Sequence, residues 1–292
     1  MIQSAGKKFR KALGEQTPLQ IIGVINAYSA LQAQKIGAKA LYLSGAGVAN
    51  ASYGLPDIGM TGLEDVCIDI RRITSRVDLP LLVDADTGWG GAFNIARCVQ
   101  EMTRAGAAGC HIEDQVAQKR CGHRPNKELV SIEEMCDRIR AAVDAKIDPD
   151  FVIMARTDAH ASEGQASALK RAQAYVDAGA DMIFAEAIHT LKEYEDFTSV
   201  IKVPVLANIT EFGATPMFTV EELASVGIDM VLYPLSGFRA MNKAALLVFE
   251  SILKQGSQSS TIEIMQTRNE LYEMLDYHSY EDKLDELFSK TK

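Results

Sequence analysis

The chain has 292 residues, a formal net charge of −9 and 47% hydrophobic residues. Its acidity argues against a general nucleic-acid binder, because neutralising phosphates needs an excess of Lys and Arg. The length fits one large α/β domain or two ordinary ones, with enough apolar material for a core. No apolar run is long enough to span a bilayer, so we expect no membrane partner.

The N-terminal stretch "MIQSAGKKFRKALGEQ" carries basic residues but no apolar segment behind them, so it is not typical of a secretory signal. The pattern favours an amphipathic first helix, with a transit peptide as the alternative. For a bacterial chain we expect a cytoplasmic location, and for a eukaryotic one the mitochondrion is the alternative.

Eight short apolar runs alternate with amphipathic stretches along the chain. The runs are "QIIGVIN", "ALYLSG", "PLLVDAD", "AGCHIED", "FVIMART", "DMIFAEA", "VPVLANI" and "DMVLYPL". They are continuously apolar, as strands buried on both faces of a parallel sheet must be. Eight strand–helix units predict a single (β/α)8 barrel domain over residues 1–292, with an open doubly wound sheet as the alternative.

Local signals predict where several helices begin and end. Gly106 and Gly179 follow helical stretches, as C-terminal capping glycines do, and Ser131 with Glu134 predicts a capping box. From about residue 256 the chain is polar and strongly helical, beyond what a barrel needs. This tail is either a packing appendage or a subunit contact.

The cysteines are five and scattered, with no C-x-x-C pair: Cys67, Cys98, Cys110, Cys121 and Cys136. An odd, unpatterned set indicates free thiols in a reducing compartment. All except Cys121 lie in apolar or helical patterns, where Cys is usually a small core residue.

Polar residues follow nearly every predicted strand. They are Tyr42, Ser44, Gly45, Asp84, Asp86, His111, Glu113, Asp114, Arg156, Asp158, Glu186, Asn208, Thr210 and Arg239. A helix cap explains one strand that ends in Asp, but it does not explain the whole set. In a barrel the active site lies at the C-terminal ends of the strands. The pattern therefore predicts an active site there.

"DAD" places Asp84 and Asp86 two residues apart, which on a strand points both carboxylates to one side. Two such charges repel unless a cation or a proton lies between them. Oxygen ligands favour Mg2+ or Mn2+, and Glu113 and Asp57 could complete a mostly water-mediated shell. The alternative is that one Asp caps the next helix while the other pairs with an arginine.

Two further features indicate anion binding. The Gly-rich stretch "SGAGVANASYG" follows a strand, where backbone N–H groups can cradle a phosphate or carboxylate. Arg156, Arg239 and Arg268 are candidates for gripping carboxylates in bidentate pairs. For each arginine the alternative is a structural or surface ion pair.

Cys121 lies among Lys119, Arg120, His123 and Arg124. Such a positive field lowers a thiol pKa, and Gly122 leaves the loop free to close over a substrate. A thiol in this setting suits proton transfer. The alternatives are a nucleophile, a metal ligand or a solvated run of charge. A zinc site would need more Cys or His at ligand spacing.

The motif "KRCGHRPNK" resembles that of the 2-methylisocitrate lyase family, within the isocitrate lyase and phosphoenolpyruvate mutase superfamily. "YLSGAGVANASYGLPD", "VDADTGWG", "GCHIEDQ", "MARTDA", "LANITEFG", "YPLSGFRAMN" and "MQTRNELYE" resemble further blocks of that family, in order. The resemblance covers essentially the whole chain. Isocitrate lyase proper is considerably longer, with large insertions that this chain lacks.

The resemblance implies a (β/α)8 barrel in a homotetramer, with the last barrel helix swapped between partners. It implies Mg2+, with Mn2+ as a substitute, held near Asp84 and Asp86, while Asp57 and Glu113 act largely through water. It also implies that a tricarboxylate substrate contacts a set of residues: Ser44, Gly45, Ala46, Gly122, His123, Arg156, Glu186, Asn208, Ile209, Thr210, Arg239 and Arg268. Family members often have Gly where Ala46 stands, and a backbone contact should survive that change.

The implied reaction is the reversible cleavage of 2-methylisocitrate to succinate and pyruvate, a step of propionate catabolism in the methylcitrate cycle. Mg2+ lowers the cost of removing the hydroxyl proton, and arginine and amide donors stabilise the aci-carboxylate that leaves. Cys121 is the candidate acid that protonates the leaving carbon. Tyr42 is the first candidate for the hydroxyl base, and a metal-linked carboxylate is the second.

The substrate exceeds isocitrate by one methyl group, and selecting one methyl is worth only about 1–3 kcal/mol. By resemblance, Phe184 and Leu232 would shape the methyl pocket. The alternatives on the same fold are an isocitrate lyase, a dimethylmalate lyase or an oxaloacetate hydrolase. An alternative of another class is a thiol-based redox or RNA-binding protein that uses the Lys119–Lys127 loop, against which the acidic charge and the strand-end acids count.

Overall fold

Eight parallel strands close into a barrel in the order in which they occur in the chain, and the second to the seventh are runs of buried residues. The strands are β1 (Leu19–Gly23), β2 (Ala40–Leu43), β3 (Leu81–Asp84), β4 (Gly109–Glu113), β5 (Val152–Thr157), β6 (Met182–Ala185), β7 (Val205–Asn208) and β8 (Met230–Tyr233). β8 pairs with β1, which completes the ring. The predicted barrel is confirmed and the open sheet is excluded.

The computed structural model describes residues 3–120 and 127–289. Its helices are α1 (Ala5–Glu15), α2 (Ala27–Lys35), α3 (Gly45–Gly47), α4 (Leu63–Thr74), α5 (Ala92–Arg104), α6 (Ile132–Asp144), α7 (Ala159–Glu163), α8 (Gln165–Asp177), α9 (Leu191–Val200), α10 (Val220–Ser225), α11 (Ser236–Gln255), α12 (Arg268–Leu275) and α13 (Tyr277–Ser289). A π-helical turn spans Val48–Ser52 and a 3-10 turn spans Ser259–Ile264.

The strands carry two apolar cores, one on each face. Side chains such as Tyr42, Phe184 and Leu232 form the core inside the barrel, and Phe9 of α1 belongs to the same cluster. The larger core lies on the other face of the strands, where the helices pack. Both faces of β2 to β7 are therefore buried, while β1 is partly exposed, and this burial is why most strands are continuous apolar runs in the sequence.

The predicted helix ends are confirmed, with one correction. Gly106 and Gly179 follow α5 and α8 with φ of 98° and 109°, a conformation that glycine adopts without strain. The Ser131 side chain accepts from the Glu134 N–H at the start of α6. The predicted reciprocal bond is absent, because Glu134 Oε1 instead accepts from Arg138 Nη2 at 2.6 Å.

Among the described residues, Cys67, Cys98, Cys110 and Cys136 are buried free thiols, as predicted. Burial raises the pKa of Cys67 to about 11 and that of Cys110 to about 12. Cys136 lies in α6, where its thiol donates to the Ala174 carbonyl at 3.5 Å. These thiols are structural and unreactive.

The chain divides into two units, residues 1–236 and 237–292. The second unit contains almost all of α11 as well as the predicted helical tail. Along α11 several large apolar side chains are exposed in the single chain: Met241, Leu246, Leu247, Phe249, Ile252 and Leu253. Within the described residues, no helix has both the length and the apolarity needed to cross a membrane.

Candidate active site

Strand register brings the predicted polar residues together at the C-terminal end of the barrel. Asp84 of β3 lies opposite His111 of β4, and Glu113 of β4 lies opposite Arg156 of β5. All four side chains are buried. Because parallel strands end at the same edge, residues far apart in sequence meet here, as the strand-end pattern predicts.

Asp84 and Asp86 converge, but not through the strand geometry that their spacing predicts. β3 ends at Asp84, and Asp86 follows with a left-handed φ of 48°. This turn lets the Asp86 N–H donate to Asp84 Oδ1 at 3.0 Å, while the Gly45 N–H donates to Asp84 Oδ2 at 3.0 Å. A Cβ on Gly45 would lie 3.0 Å from Asp86 Oδ1 and 3.1 Å from Asp84 Oδ2, so this position leaves little room for a side chain.

The two carboxylates differ in their affinity for a proton. Burial raises the pKa of Asp84, but His111, the cations of Lys119 and Arg156, and the Asp86 N–H lower it by more, so that Asp84 is ionised. Burial and the charge of Asp84 raise the pKa of Asp86 to about 7, even though Lys119 lowers it. The two carboxylates therefore do not both ionise readily, even with an ammonium group beside them.

Lys119 is the cation at this pair. Its Nζ lies 2.8 Å from Asp57 Oδ1 and forms an ion pair with Asp86 Oδ1, and its side chain is 4% exposed. Burial lowers the pKa of Lys119, but the charges of Glu113, Asp86, Asp84 and Asp57 raise it by more. The side chain is therefore a buried ammonium. The sequence indicated a role for Lys119 only in the positive field around Cys121.

Tyr42 and His111 form a buried pair inside the barrel. The Tyr42 hydroxyl lies 2.8 Å from His111 Nε2, and His111 Nε2 lies 3.7 Å from Asp84 Oδ1. Burial, and after it the charge of Asp84, raises the pKa of Tyr42 well above its ordinary value. Burial lowers the pKa of His111 to about 4, so the ring is neutral at neutral pH. A neutral imidazole nitrogen can accept a hydrogen bond from the phenol, although the lowered pKa disfavours full transfer of its proton.

Arg156 is surrounded by carboxylates. Its Nε lies 2.9 Å from Asp158 Oδ2 and 3.4 Å from Glu113 Oε2, and its Nη2 lies 3.1 Å from Glu186 Oε2. Its Cζ lies 4.9 Å from the centre of the Phe184 ring. The guanidinium is thus held in one orientation by several contacts, as a carboxylate-binding arginine requires.

Glu186 and Asn208 line the same end of the barrel. Asn208 Nδ2 lies 3.3 Å from Glu186 Oε2, and Glu186 Oε1 accepts from the Ala187 N–H at 2.8 Å. Ile209 and Thr210 follow β7 and are buried. Directly after β2, Ser44 and Gly45 are buried and Ala46 is half-buried.

Several predicted site residues cannot be placed against this cluster. Cys121, Gly122 and His123 lie outside the described residues. Arg239 lies in α11 and Arg268 begins α12, both in the second unit. Their roles stay predictions.

Three contacts were missed from the sequence: the pairing of Tyr42 with His111, that of Lys119 with Asp86, and that of Lys127 with Asp158. Lys127 Nζ lies 2.6 Å from Asp158 Oδ1, and both side chains are buried. One feature of the sequence could have indicated the two lysine pairs. Lys119 and Lys127 lie on either side of Cys121 in one motif, and two strands have buried acids at their ends that need a cation nearby.

The donor set fits Mg2+. Among residues 3–120 and 127–289, no three His, Cys, Asp or Glu side chains converge to hold an ion by themselves. Asp84 and Asp86 do converge at Gly45, and Mg2+ is usually held by one or two carboxylates, with waters and substrate filling the other positions. Glu113 Oε1 is buried and has no hydrogen-bond partner among the described residues. Glu113 is thus available to a water-mediated shell.

The family model for phosphoenolpyruvate phosphomutase matches residues 9–253. The chain belongs to this family. It is 62% identical to a 2-methylisocitrate lyase from Shewanella oneidensis over 292 residues, which is 100% of both chains. The prediction of the family is therefore confirmed, as is the prediction that the chain is a carbon–carbon lyase.

Solved structures agree with the barrel. A 2,3-dimethylmalate lyase of the phosphoenolpyruvate mutase and isocitrate lyase superfamily matches with a TM-score of 0.89 at 33% identity, covering 97% of this chain and 96% of that one. A phosphonopyruvate hydrolase in complex with oxalate and Mg2+ matches with a TM-score of 0.83 at 30% identity, covering 96% and 98%. Both matches span the barrel and its strand ends.

Proposed function

We propose that this chain cleaves 2-methylisocitrate to pyruvate and succinate in an Mg2+-dependent reaction, within the methylcitrate cycle of propionate catabolism. The observation that carries the proposal is the full-length relative of 62% identity named 2-methylisocitrate lyase. The cluster of acids, arginine and amide at the strand ends is chemically suited to this reaction.

Asp84 and Asp86 would hold the Mg2+ ion, with Asp57 and Glu113 contacting it through water. The phosphonopyruvate hydrolase solved with oxalate and Mg2+ supports this assignment, since it shares the barrel over almost the whole chain. When bound, Mg2+ supplies a Lewis acid that makes the substrate's hydroxyl easier to deprotonate. Gly45, which leaves the two carboxylates room, would also offer its backbone to the substrate together with Ser44 and Ala46.

Tyr42 would accept the proton of the substrate hydroxyl. Because its pKa is raised, Tyr42 is a phenol, and it would act as a base only as the phenolate, which the charges of Arg156 and Lys119 favour. His111 Nε2 lies 2.8 Å away and can accept a hydrogen bond from the phenol, but its lowered pKa makes the ring a weak acceptor for the proton itself. A carboxylate near the ion is the second candidate for the base.

Arg156 would stabilise the succinate half as it leaves. The bond between the two halves breaks, its electrons move into an aci-carboxylate, and a guanidinium held by Asp158 and Glu186 is oriented in advance for that charge. Asn208 and Thr210 would add uncharged donors, with Gly122, His123, Arg239 and Arg268 completing the contacts. Cys121 would then protonate the carbon, which balances the proton taken from the hydroxyl.

Phe184 and Leu232 would receive the extra methyl group. Both side chains belong to the core inside the barrel, and Phe184 also contacts His111 edge-on at 5.2 Å between ring centres. An apolar surface beside the Tyr42–His111 pair would favour a methyl over hydrogen by about 1–3 kcal/mol.

The test is product release from two substrates side by side, with Mg2+ and with EDTA. We expect pyruvate from 2-methylisocitrate to form much faster than glyoxylate from isocitrate, and EDTA to abolish it. Comparable or reversed rates would contradict the assignment of 2-methylisocitrate as the preferred substrate. Activity that survives EDTA would contradict the proposed dependence on Mg2+.

The other candidate is a related lyase or hydrolase on the same barrel. The solved 2,3-dimethylmalate lyase favours this alternative at 33% identity, against 62% for the methylisocitrate relative. A panel of 2,3-dimethylmalate, oxaloacetate and isocitrate separates these activities, because each releases a different product.

We further propose a cytoplasmic homotetramer in which the last barrel helix is swapped between subunits. The apolar side chains exposed along α11, among them Leu246, Phe249 and Leu253, support a subunit contact. Molar mass by light scattering tests the assembly. A monomer at micromolar concentration would contradict it.

A further inference from the structure

Lys119 lies where a divalent cation would be expected to act. Its ammonium group pairs with Asp86 and lies 2.8 Å from Asp57 Oδ1, and both carboxylates are predicted to serve the metal. Its side chain is 4% exposed, against 6% for Asp86 and 18% for Asp57. The contact of Lys119 with Asp86 and Asp57 is therefore a buried ion pair and not a solvent-exposed one.

The surroundings explain why a cation is held here. Asp84, Asp86 and Glu113 are all buried, and carboxylates this close together repel each other unless positive charge compensates. Arg156 is committed to Asp158, Glu113 and Glu186. Among the residues that the structure describes, Lys119 is the cation that contacts Asp86 and Asp57.

We infer that Lys119 is a built-in counter-ion that competes with the divalent cation for Asp86 and Asp57. Metal binding then requires the ammonium group to give up Asp86, and metal loss lets it return. This inference rests on the metal site proposed above. It goes beyond that proposal because it makes the affinity for the divalent cation depend on Lys119.

The competition has a direct physical basis. An ammonium and a divalent cation that share one carboxylate repel each other at close range, and in a buried site this repulsion is weakly screened. Removing the ammonium charge removes both the repulsion and the competing ion pair. We therefore expect a neutral residue at this position to tighten divalent-cation binding by about tenfold or more.

The experiment measures Mn2+ binding to the full chain without substrate, by the electron paramagnetic resonance signal of free Mn2+. The variants are Lys119→Met, which removes the charge, Lys119→Gln, which removes the charge but keeps a donor for both carboxylates, and Lys119→Arg, which keeps the charge. The matched control is Lys146→Met. Lys146 lies 2.6 Å from Asp181 before β6, at the opposite end of the barrel, where Arg10 also pairs with Asp181.

We expect Lys119→Met and Lys119→Gln to bind Mn2+ at least about tenfold more tightly than the wild type, with Lys119→Arg and Lys146→Met unchanged. In EDTA the neutral variants should melt at a lower temperature than the wild type, and Mn2+ should raise their melting temperature more than that of the wild type. If Lys119→Met does not fold, Lys119→Gln decides the question.

The outcomes separate the inference from the proposed function. If the wild type and the neutral variants bind Mn2+ equally, the metal site stands and the inference is overturned. If the neutral variants bind more weakly, Lys119 supports the site instead of competing for it, which also overturns the inference. If no variant binds Mn2+, both the metal site and the inference fail.

Discussion

The guanidinium of Arg156 is clamped by both oxygens of Asp158, with Nε 2.9 Å from Oδ2 and Nη2 3.1 Å from Oδ1. Asp158 is fully buried and also accepts from Lys127 Nζ at 2.6 Å. Its own N–H donates to Asp114 Oδ1 at 2.9 Å. Asp158 is therefore a positioning residue, because the orientation of the carboxylate-binding arginine depends on it.

Asp158→Asn should impair substrate binding and lower stability. The amide keeps the shape but leaves two buried cations with one negative charge fewer, which costs about 3 kcal/mol in the free energy of unfolding. We expect kcat to fall by about tenfold or more and KM to rise as well, since Arg156 loses the orientation in which it binds and stabilises the succinate half. Steady-state kinetics and urea unfolding measure the two effects.

The matched control is Asp137→Asn, the same acid-to-amide change at an exposed arginine. Asp137 Oδ1 lies 2.7 Å from Arg140 Nη1, and the two side chains are 76% and 62% exposed. We expect less than about 1 kcal/mol of lost stability and an unchanged KM, since exposed pairs contribute little. Equal effects on KM from both variants would contradict the positioning role of Asp158.

The contribution of Asp158 to stability should depend on pH. Burial raises its pKa, but Arg156 and Lys127 lower it by more, to about 2 in the folded chain. Since about 3.9 is usual for an unfolded chain, the stabilisation is fully present above about pH 4 and is lost as the pH falls towards 2. The difference in unfolding free energy between wild type and Asp158→Asn should therefore shrink from pH 5 to pH 3. A constant difference would contradict this.

Cys121→Ser should keep the fold and substrate affinity but lose most turnover, by about 10²–10⁴-fold, because a serine hydroxyl is a far poorer proton donor at neutral pH. The control is Cys136→Ser, whose thiol is buried in α6. Thermal melting checks the fold, and kcat with KM checks the role. Near-normal turnover would mean that another group delivers the proton.

Asp86→Ala should lose activity together with its dependence on Mg2+, because one of the two converging carboxylates is removed. Asp78→Ala serves as the control, since Asp78 is 90% exposed and pairs with Lys8. Activity against Mg2+ concentration is the measurement. Activation by Mg2+ as in the wild type would contradict the metal assignment.

The barrel was predictable because its cause is local and repeated. Each strand must be apolar on both faces, and each helix must be amphipathic, so eight alternations were visible in runs such as "PLLVDAD" and "FVIMART". The position of the active site followed, since acids and arginines after strands meet at one edge.

The pairings within that edge were not predictable. The meeting of Asp84 with Asp86 depends on a left-handed turn at Asp86, where the spacing had indicated one extended strand. The capping box at Ser131 was half wrong for a similar reason, because Arg138 took the carboxylate of Glu134.

By itself the sequence determined the strand and helix pattern, the family and the edge at which the chemistry must lie. Those depend on periodicity, composition and motifs, which a linear chain displays. Only the tertiary structure decided that Lys119 pairs with Asp57 and Asp86. It also decided that His111 lies within hydrogen-bonding distance of Tyr42, and that Asp158 contacts both Arg156 and Lys127. These choices depend on distances of about 3 Å between side chains up to 69 residues apart, which closure of the barrel sets.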